Sequence, residues 1–416
     1  MRNPPSTSMP GRQLKRAQLL LLAIVIFSLS LAATGARVQT QGNKQQRPRR
    51  VGPTQPAPNA SKSANAQQVE EVEEGDVVRV ETQLVSVPAV VYDTTGRPLV
   101  SLRPENFILY EDGRPQRITN FATTEAPFEV ALLLDTSGST RADVALIKRA
   151  ANAFLEALRP DDRVALVAFN SRQEGDARLA TVDVLTKLTS NRDALRKAVE
   201  NIGTSNGTPF YDALERIAQD VFNEPARAEV RGRRAVVALT DGVDSTSEAE
   251  FSDARSRLLR AGVACYFIQV NTEDFVEDRL LRDCQDDGRL GLSQTQLARY
   301  RRIFVPRADA SEYESFCSLG PFQRMEISRK LYGLARQEMN DLARASGGRN
   351  FTATDLRDAR AAFAQVANEI GTQYSLGYYP SNKTRDGRFR AIKVEVKGVS
   401  GGAQVRAREG YYAPRS

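Results

Sequence analysis

The sequence contains no histidine and no tryptophan, and only three of its 416 residues are cysteines. Without an imidazole, neither a Ser-His-Asp nor a Cys-His hydrolase can be built, and a zinc site with histidine ligands is excluded. The chain also has no Walker loop and no Gly-x-Gly-x-x-Gly turn after its first predicted α/β strand. We therefore expect neither these enzymes nor a small-molecule cofactor.

A basic surface for nucleic acid is also missing, although the formal net charge is +7. Four of the basic residues lie in the first 36 residues, which contain no acidic side chain and are predicted to be removed; they are Arg2, Arg12, Lys15 and Arg16. Subtracting these four charges from +7 leaves +3. The remaining basic residues are interspersed with acidic ones, so nucleic acid is not an expected partner.

Residues 1–36 have the pattern of a secretory signal peptide. A basic start is followed by an apolar core from Leu19 to Ala33 and by small residues at 34–36. Since this core is shorter than the roughly 20 residues of a membrane span, we expect cleavage, with an uncleaved anchor as the alternative. The protein is thus predicted to be exported and to be periplasmic, cell-surface or secreted. Residues 37–75, rich in Gln, Pro, Ala, Asn and Ser, follow as a predicted disordered linker.

Residues 126–372 alternate apolar runs with amphipathic helical runs. This alternation predicts an α/β fold, in which helices cover both faces of a doubly wound, mostly parallel sheet. The predicted strands are Val130–Leu134, Arg163–Phe169, Ala235–Leu239 and Val263–Val270. The predicted helices are Ala142–Leu158, Asn191–Asn201, Phe210–Phe222, Glu248–Ala261 and Asp355–Ile370.

Residues 272–330 interrupt this alternation and form a predicted insertion. The segment is longer than an ordinary loop, so it is either a lid or recognition element or a variable surface loop. It holds Cys284 and Cys317, for which we predict a disulfide in an oxidising compartment, with two free thiols as the alternative. Cys265 lies in an apolar run and is predicted to be an inert core residue.

The chain on either side of this region has the features of β-structure. Residues 76–125 show strand-like alternation at Val78–Leu84 and a hairpin signal at Asp112–Gly113. Residues 373–416 contain three further strand-like runs, Gln373–Tyr379, Phe389–Val396 and Ala403–Ala407. Since neither end can form a core alone, both are predicted to join in one small all-β domain flanking the central one. The alternative is two separate small β units.

A polar turn, Asp135-Thr136-Ser137-Gly138-Ser139, directly follows the first strand of the α/β region. Open α/β sheets bind ligands at the carboxyl ends of their strands. Because Asp135, Ser137 and Ser139 alternate, an extended turn directs all three side chains to one point. Oxygen donors of this kind suit a hard cation such as Mg²⁺.

Two later segments carry matching polar groups. Thr208 is predicted to cap a helix whose first residue is Pro209. Asp241 follows the strand Ala235–Leu239 in another polar turn. Asp244 is interpreted as a helix-start or surface residue and is left outside the predicted site. Each element alone is common, but their joint occurrence in this chain order favours a metal site.

These motifs resemble the metal-ion-dependent adhesion site of the von Willebrand factor A-type (VWA) domain. The resemblance implies direct metal contacts from Ser137, Ser139 and Thr208, and contacts mainly through water from Asp135 and Asp241.

The resemblance extends beyond the site. The junction Leu158–Phe169 is similar to a helix-to-strand junction of the VWA fold. More narrowly, residues 76–416, including Gly377–Pro380 and Arg408–Pro414, resemble bacterial exported proteins related to the VWA domain that are common in Acidobacteria. This narrower resemblance implies an architecture but no particular biological role.

We therefore expect an exported, non-enzymatic adhesion module. Its divalent cation, Mg²⁺ first with Mn²⁺ or Ca²⁺ as alternatives, would bind an exposed carboxylate of a protein or peptide partner. One alternative is an envelope scaffold in which the ion is structural. Another is a metal-assisted hydrolase, in which Asp135 or Asp241 would have to act as the base. Contact with a membrane is expected only if the signal segment is not cleaved.

Overall fold

The computed structural model describes residues 84–123, 125–138, 144–224, 230, 233–281 and 291–415. The predicted signal peptide, the linker and the predicted strand from Val78 up to residue 83 lie outside these ranges. Within them, no helix has both the length and the apolar composition needed to cross a bilayer.

The strands alternate with helices only in the middle of the described chain. In order, the strands are β1 (Val85–Tyr92), β2 (Phe107–Glu111), β3 (Arg114–Gln116), β4 (Ile118–Ala122), β5 (Glu129–Leu134), β6 (Arg163–Glu174), β7 (Ala177–Thr189), β8 (Arg234–Thr240), β9 (Ala264–Val270), β10 (Arg349–Ala353), β11 (Tyr374–Tyr378), β12 (Phe389–Val396), β13 (Gln404–Ala407) and β14 (Gly410–Tyr412). The helices are α1 (Val144–Ala157), α2 (Arg192–Glu200), α3 (Phe210–Arg216), α4 (Phe251–Arg260), α5 (Glu273–Leu280), α6 (Gln294–Phe304), α7 (Pro321–Ser346) and α8 (Ala359–Gly371).

Six strands form the central sheet in the order β10-β9-β8-β5-β6-β7. All neighbours are parallel except β6 and β7, which form an antiparallel pair. From β5 the chain moves to β6 and β7 on one side, and later to β8, β9 and β10 on the other. The strand order therefore reverses beside β5, and such a switch point opens a crevice at the carboxyl ends of the strands.

Helices cover both faces of this sheet, as predicted. Apolar side chains of α1, α2 and α8 pack on one face, where Phe154 and Phe363 are in ring contact. Side chains of α3, α4 and α7 pack on the other face, around Phe210 and Phe267. Strands β5 and β8 are buried along their whole length, which explains their continuous apolar sequence.

Two four-stranded antiparallel sheets form the flanking β-structure, in the orders β13-β1-β11-β4 and β14-β12-β2-β3. In the first sheet β1 lies between β11 and β13, and in the second β2 pairs with β12. Strands from before and after the central sheet share one apolar cluster. The predicted joint β-domain is therefore confirmed.

The predicted hairpin is also present. Strands β2 and β3 pair around Asp112 and Gly113, both of which have positive φ angles. Two positive φ angles in succession suit a tight hairpin turn, in which Gly and Asp are favoured.

Three elements differ from the sequence expectation. Strands β7 and β10 extend the central sheet at its two edges but were not predicted. Helix α7 begins inside the predicted insertion and continues to Ser346, so the predicted boundary at residue 330 falls within a helix. The insertion itself is helical in its described part, containing α5, α6 and two short 3₁₀ turns.

Candidate functional site

The turn after β5 holds Asp135 in a fixed orientation. Its backbone N–H donates to the carbonyl of Leu239 on β8 at 3.0 Å. One carboxylate oxygen accepts from the N–H of Ser137 at 2.9 Å, and the other accepts from the Thr240 hydroxyl at 2.7 Å. This side-chain-to-backbone turn reverses the chain at the end of the strand, so that Ser137 follows at the same edge of the sheet.

The glycine-rich loop at residues 203–209 is hydrogen-bonded to this first turn. The N–H of Ser205 donates to the carbonyl of Thr136 at 2.9 Å, and the Thr136 hydroxyl donates to the carbonyl of Phe169 at 2.9 Å. The Ser205 hydroxyl lies 2.7 Å from the carbonyl of Gly207. These contacts fix the loop that carries Thr208 against the turn that carries Ser137.

The prediction that Thr208 caps helix α3 is wrong, because the helix begins one residue later than expected. Helix α3 begins at Phe210, with Pro209 in the N-cap position. The N–H groups of Phe210 and Tyr211 instead donate to Oδ2 of Asp244, at 2.9 and 3.2 Å. A side chain from another loop thus satisfies the helix start, and the Thr208 hydroxyl is not required for capping.

Asp244 is correspondingly neither the start of its own helix nor a surface residue. It is buried, and besides accepting from the first turn of α3 it contacts the hydroxyl of Ser247. Ser247 in turn accepts from the N–H groups of Tyr211 and Asp212. Burial raises the pKa of Asp244 to about 7.

Asp241 occupies the turn after β8, beside the turn after β5. Its Oδ1 accepts from the N–H of Val243 at 3.0 Å, and its Oδ2 accepts from the hydroxyl of Thr272 at 2.7 Å. The next residue, Gly242, has a φ of 76°, and a Cβ there would lie 2.5 Å from a side-chain carbon of Met339. Glycine is therefore required to make this turn against α7.

Two carboxylates share this end of the sheet. The pKa of Asp135 is raised to about 7, first because the group is fully buried and then because the carboxylate of Asp241 lies nearby. Like charges in a poorly solvated site disfavour each other. A bound cation would relieve this repulsion, so the electrostatics fit a metal site.

Ser137, Thr208 and Asp241 line a single cleft with a volume of about 420 Å³. Asp135 lies just behind it, where it binds the backbone of Ser137. Ser139 lies outside the described residues. The structure thus brings together three of the predicted site residues at the cleft and a fourth directly beneath them.

The donor chemistry of these residues fits a hard divalent cation. Hydroxyl and carboxylate oxygens are the ligands that Mg²⁺ and Ca²⁺ prefer. Among the described residues, no group of three or more acidic, histidine or cysteine side chains is arranged as a metal cage. A cation here would therefore depend on the serine and threonine hydroxyls as well as on the two aspartates.

Two residues that support the site were missed by sequence reasoning. The Thr272 hydroxyl, which donates to Asp241, lies 2.7 Å from the hydroxyl of Tyr332 on α7. Thr272 lies shortly after the buried strand β9, and its position at a strand end is a signal that could have identified it. Tyr332 lies in the middle of a long helix, and no local pattern marks it.

The cysteines agree with the sequence analysis as far as the described residues reach. Cys265 is a buried free thiol, and burial raises its pKa to about 12, as expected for an inert core residue. Cys317 is disulfide-bonded and lines the cleft. Its predicted partner Cys284 lies outside the described residues, so the pairing stays a prediction.

Comparisons with known proteins match part of the chain to a known domain class. The von Willebrand factor type A domain matches residues 129–290. Among curated proteins the sequence has no significant match.

Similar solved structures include a von Willebrand factor type A protein from Catenulispora acidiphila, with 13% identity, a TM-score of 0.38 and coverage of 81% of this chain and 75% of that one. The conserved hypothetical protein BatB from Bacteroides thetaiotaomicron has 16% identity, a TM-score of 0.33 and coverage of 58% and 98%. Proximal thread matrix protein 1 from the mussel byssus has 12% identity, a TM-score of 0.37 and coverage of 59% and 48%, so the chain spans about half of its length.

Sequence identities and TM-scores this low give no information about a ligand or a partner of this chain. The domain match spans β5 to α5 and includes the three loops that carry Ser137, Thr208 and Asp241. Residues 129–290 therefore match a von Willebrand factor type A domain.

Proposed function

We propose that this protein is an exported, non-enzymatic binding protein whose VWA domain holds a divalent cation, Mg²⁺ first. Ser137, Ser139 and Thr208 would bind the ion directly, and Asp135 and Asp241 would bind it mainly through water. The ion would in turn bind a carboxylate of a partner protein.

One observation carries this proposal. Ser137, Thr208 and Asp241 come from three separate loops, yet they line the same cleft at the switch point of the sheet. Hydroxyl ligands leave most of the charge of a divalent ion uncompensated, and two carboxylates neutralise it only in part. Such an ion favours a further oxygen donor, and a carboxylate from another molecule is the strongest candidate.

The side chains of the cleft favour binding over catalysis. The chain has no histidine to act as a general base. Asp135 and Asp241 each already accept two hydrogen bonds that hold the turns in place. A group fixed in this way supports a metal-binding loop and is poorly placed to shuttle protons.

Isothermal titration of the purified protein with Mg²⁺ tests the metal site. We expect one bound ion, and we expect Ser137→Ala and Asp241→Ala to weaken binding by about 100-fold, because each removes an oxygen that orients or binds the ion. Matched controls are Ser252→Ala and Asp193→Ala, whose side chains are exposed. Unchanged affinity in the Asp241→Ala variant would exclude the proposed site.

A further inference from the structure

The cleft has two chemically different sides. We call residues 135–138, 203–209 and 240–247 the polar floor, and residues 272–281 and 291–331 the helical wall. The helical wall has its own apolar cluster, and Leu280, Leu292 and Leu331 belong to this cluster while also lining the cleft. Val276 and Phe316 pack against the same cluster and line the cleft beside them. The wall therefore contributes aliphatic and aromatic side chains to the same cleft as the predicted metal site.

Charge is sparse in this cleft. Of the described residues that line it, Asp241 alone carries a formal charge, and no lysine or arginine is among them. Among these described lining residues an acidic ligand finds no basic side chain to pair with, so its charge there would be met by a cation on the polar floor. The rest of the ligand meets a surface that favours apolar groups.

A buried hydroxyl on the wall offers one further polar contact. Ser328 on α7 lines the cleft and is almost completely buried. Its hydroxyl has no hydrogen-bond partner among the residues that the structure describes. Buried polar groups are usually satisfied, so a bound ligand that supplies a hydrogen-bond partner would gain stability at this point.

The size of the cleft limits what can enter it. A volume of about 420 Å³ lies at the lower end of the range for ligand pockets, which is roughly 300–1,000 Å³. That space accommodates a few side chains. It suits a short extended segment, because a flat protein surface cannot enter a concave space of this size.

We propose that the cleft recognises a peptide segment in which an acidic residue is followed by a large aliphatic residue. The acidic group binds the cation on the polar floor, and the aliphatic side chain packs against Val276, Leu280 and Leu331. The Ser328 hydroxyl donates to a backbone carbonyl of the segment. This inference rests on the proposed metal-dependent function and specifies its ligand.

Three peptides with fluorescein in place of the N-terminal acetyl cap, fluorescein-Gly-Asp-Leu-Gly-amide and its Asp-Ser and Asn-Leu counterparts, test the proposal by anisotropy in Mg²⁺. We expect the Asp-Leu peptide to bind about tenfold more tightly than the Asp-Ser peptide, because only leucine buries apolar surface on the wall. The Asn-Leu peptide should bind at least tenfold more weakly than Asp-Leu, because it lacks the charge that the cation attracts.

Two variants locate the contacts. Val276→Thr keeps the side-chain shape but introduces a hydroxyl, and it should reduce the preference for Asp-Leu over Asp-Ser. Ser328→Ala should weaken binding of both aspartate peptides about fivefold, the effect of losing one hydrogen bond. Ile303→Thr is the matched control, because Ile303 is exposed on α6 and does not line the cleft.

The outcomes separate this inference from the proposed function. Equal affinity for the Asp-Leu and Asp-Ser peptides, or no binding of either to the Mg²⁺-loaded protein, overturns the ligand proposal and leaves the metal site standing. Absence of Mg²⁺ binding in a titration without peptide overturns the proposed function itself. Leucine-dependent binding that is lost on addition of chelator supports both.

Discussion

The polar floor and the helical wall face each other across one cleft, yet they are held in place by different interactions. Two loops of the floor directly follow strands β5 and β8, the third (residues 203–209) follows helix α2, and hydrogen bonds fix the three loops to one another. The wall packs largely on its own apolar cluster and is joined to the rest of the domain by α7 and by a few polar contacts. We therefore expect that changes in the wall have little effect on the floor, except at its direct hydrogen bonds from Thr272 to Asp241 and from Ser293 to the carbonyl of Ser245.

One polar cluster attaches the wall to the floor side of the domain. Arg299 on α6 pairs with Glu338 on α7 at 2.6 Å, and its guanidinium lies 4.6 Å from the ring centre of Tyr211 on α3. The Tyr211 hydroxyl donates to the same carboxylate at 2.8 Å. Both charged side chains are largely buried, so removing one of them would leave the other without its counter-charge in a poorly solvated position.

Removal of this contact should affect the helical wall but not the polar floor, and this is the largest difference that we expect between the two. We expect Arg299→Ala to lower the free energy of local opening of α6 by about 2 kcal/mol, because Glu338 is left partly buried without its cation. Hydrogen exchange of residues 294–304 measures the opening, and Mg²⁺ affinity should stay unchanged. Arg302→Ala, which removes an exposed pair with Glu250, is the control and should have little effect. An equally large loss of Mg²⁺ affinity in Arg299→Ala would show that wall and floor form one unit.

A second prediction concerns the polar floor alone and tests how the stability of the protein depends on pH. The folded Asp244 carboxyl keeps its proton up to about pH 7, whereas an unfolded aspartate loses it near pH 4. The folded protein therefore binds more protons between these values, and its stability should fall as the pH rises. In the presence of chelator, the free energy of unfolding of the wild type, measured by urea unfolding, should decrease between pH 5 and 7. We expect this decrease to be about 2 kcal/mol smaller in Asp244→Asn.

Asp135, whose pKa is also raised to about 7, contributes a decrease of the same sign in both proteins. The difference between the wild type and Asp244→Asn therefore isolates Asp244. Parallel stability curves for the two proteins would mean that Asp244 is ionised throughout this range.

The third prediction addresses a hydrogen bond that joins the wall directly to a predicted metal-site residue. Thr272→Val removes the donor to Asp241 Oδ2 while keeping the side-chain shape. We expect about tenfold weaker Mg²⁺ binding by titration, the smaller end of the effect of losing a group that orients a metal-site residue. Thr272→Ser keeps the hydroxyl and should restore most of the affinity. If Thr272→Val binds Mg²⁺ as the wild type does, the N–H of Val243 suffices to orient Asp241.

The contrast between the polar floor and the helical wall also explains which parts of the molecule could be predicted from the sequence. The continuous apolar runs of β5 and β8 and the polar residues directly after them are local patterns, so Asp135, Ser137 and Asp241 could be assigned to one edge of a sheet in advance. The predicted helices α1, α2, α4 and α8 follow from amphipathic spacing in the same way. Strand β7 was missed because it is only partly buried and its sequence alternates weakly.

Contacts between distant segments could not be predicted in this way. Asp244 caps a helix that begins 34 residues earlier, and its role depends on how two loops meet at the end of the sheet. The same applies to Tyr332, which lies near Asp241 only because α7 packs beside β9. The shape of the cleft therefore required the structure, although three of the side chains that line it, Ser137, Thr208 and Asp241, could be named from the sequence.

The strand order of the flanking β-domain also constrains how the chain folds during synthesis. Strand β1 precedes the entire central domain, but both of its neighbours, β11 and β13, follow that domain. A ribosome must therefore release the whole central domain before β1 can find its partners. Until then the apolar face of β1 needs shielding, and premature truncation after α8 would leave an aggregation-prone strand without a sheet.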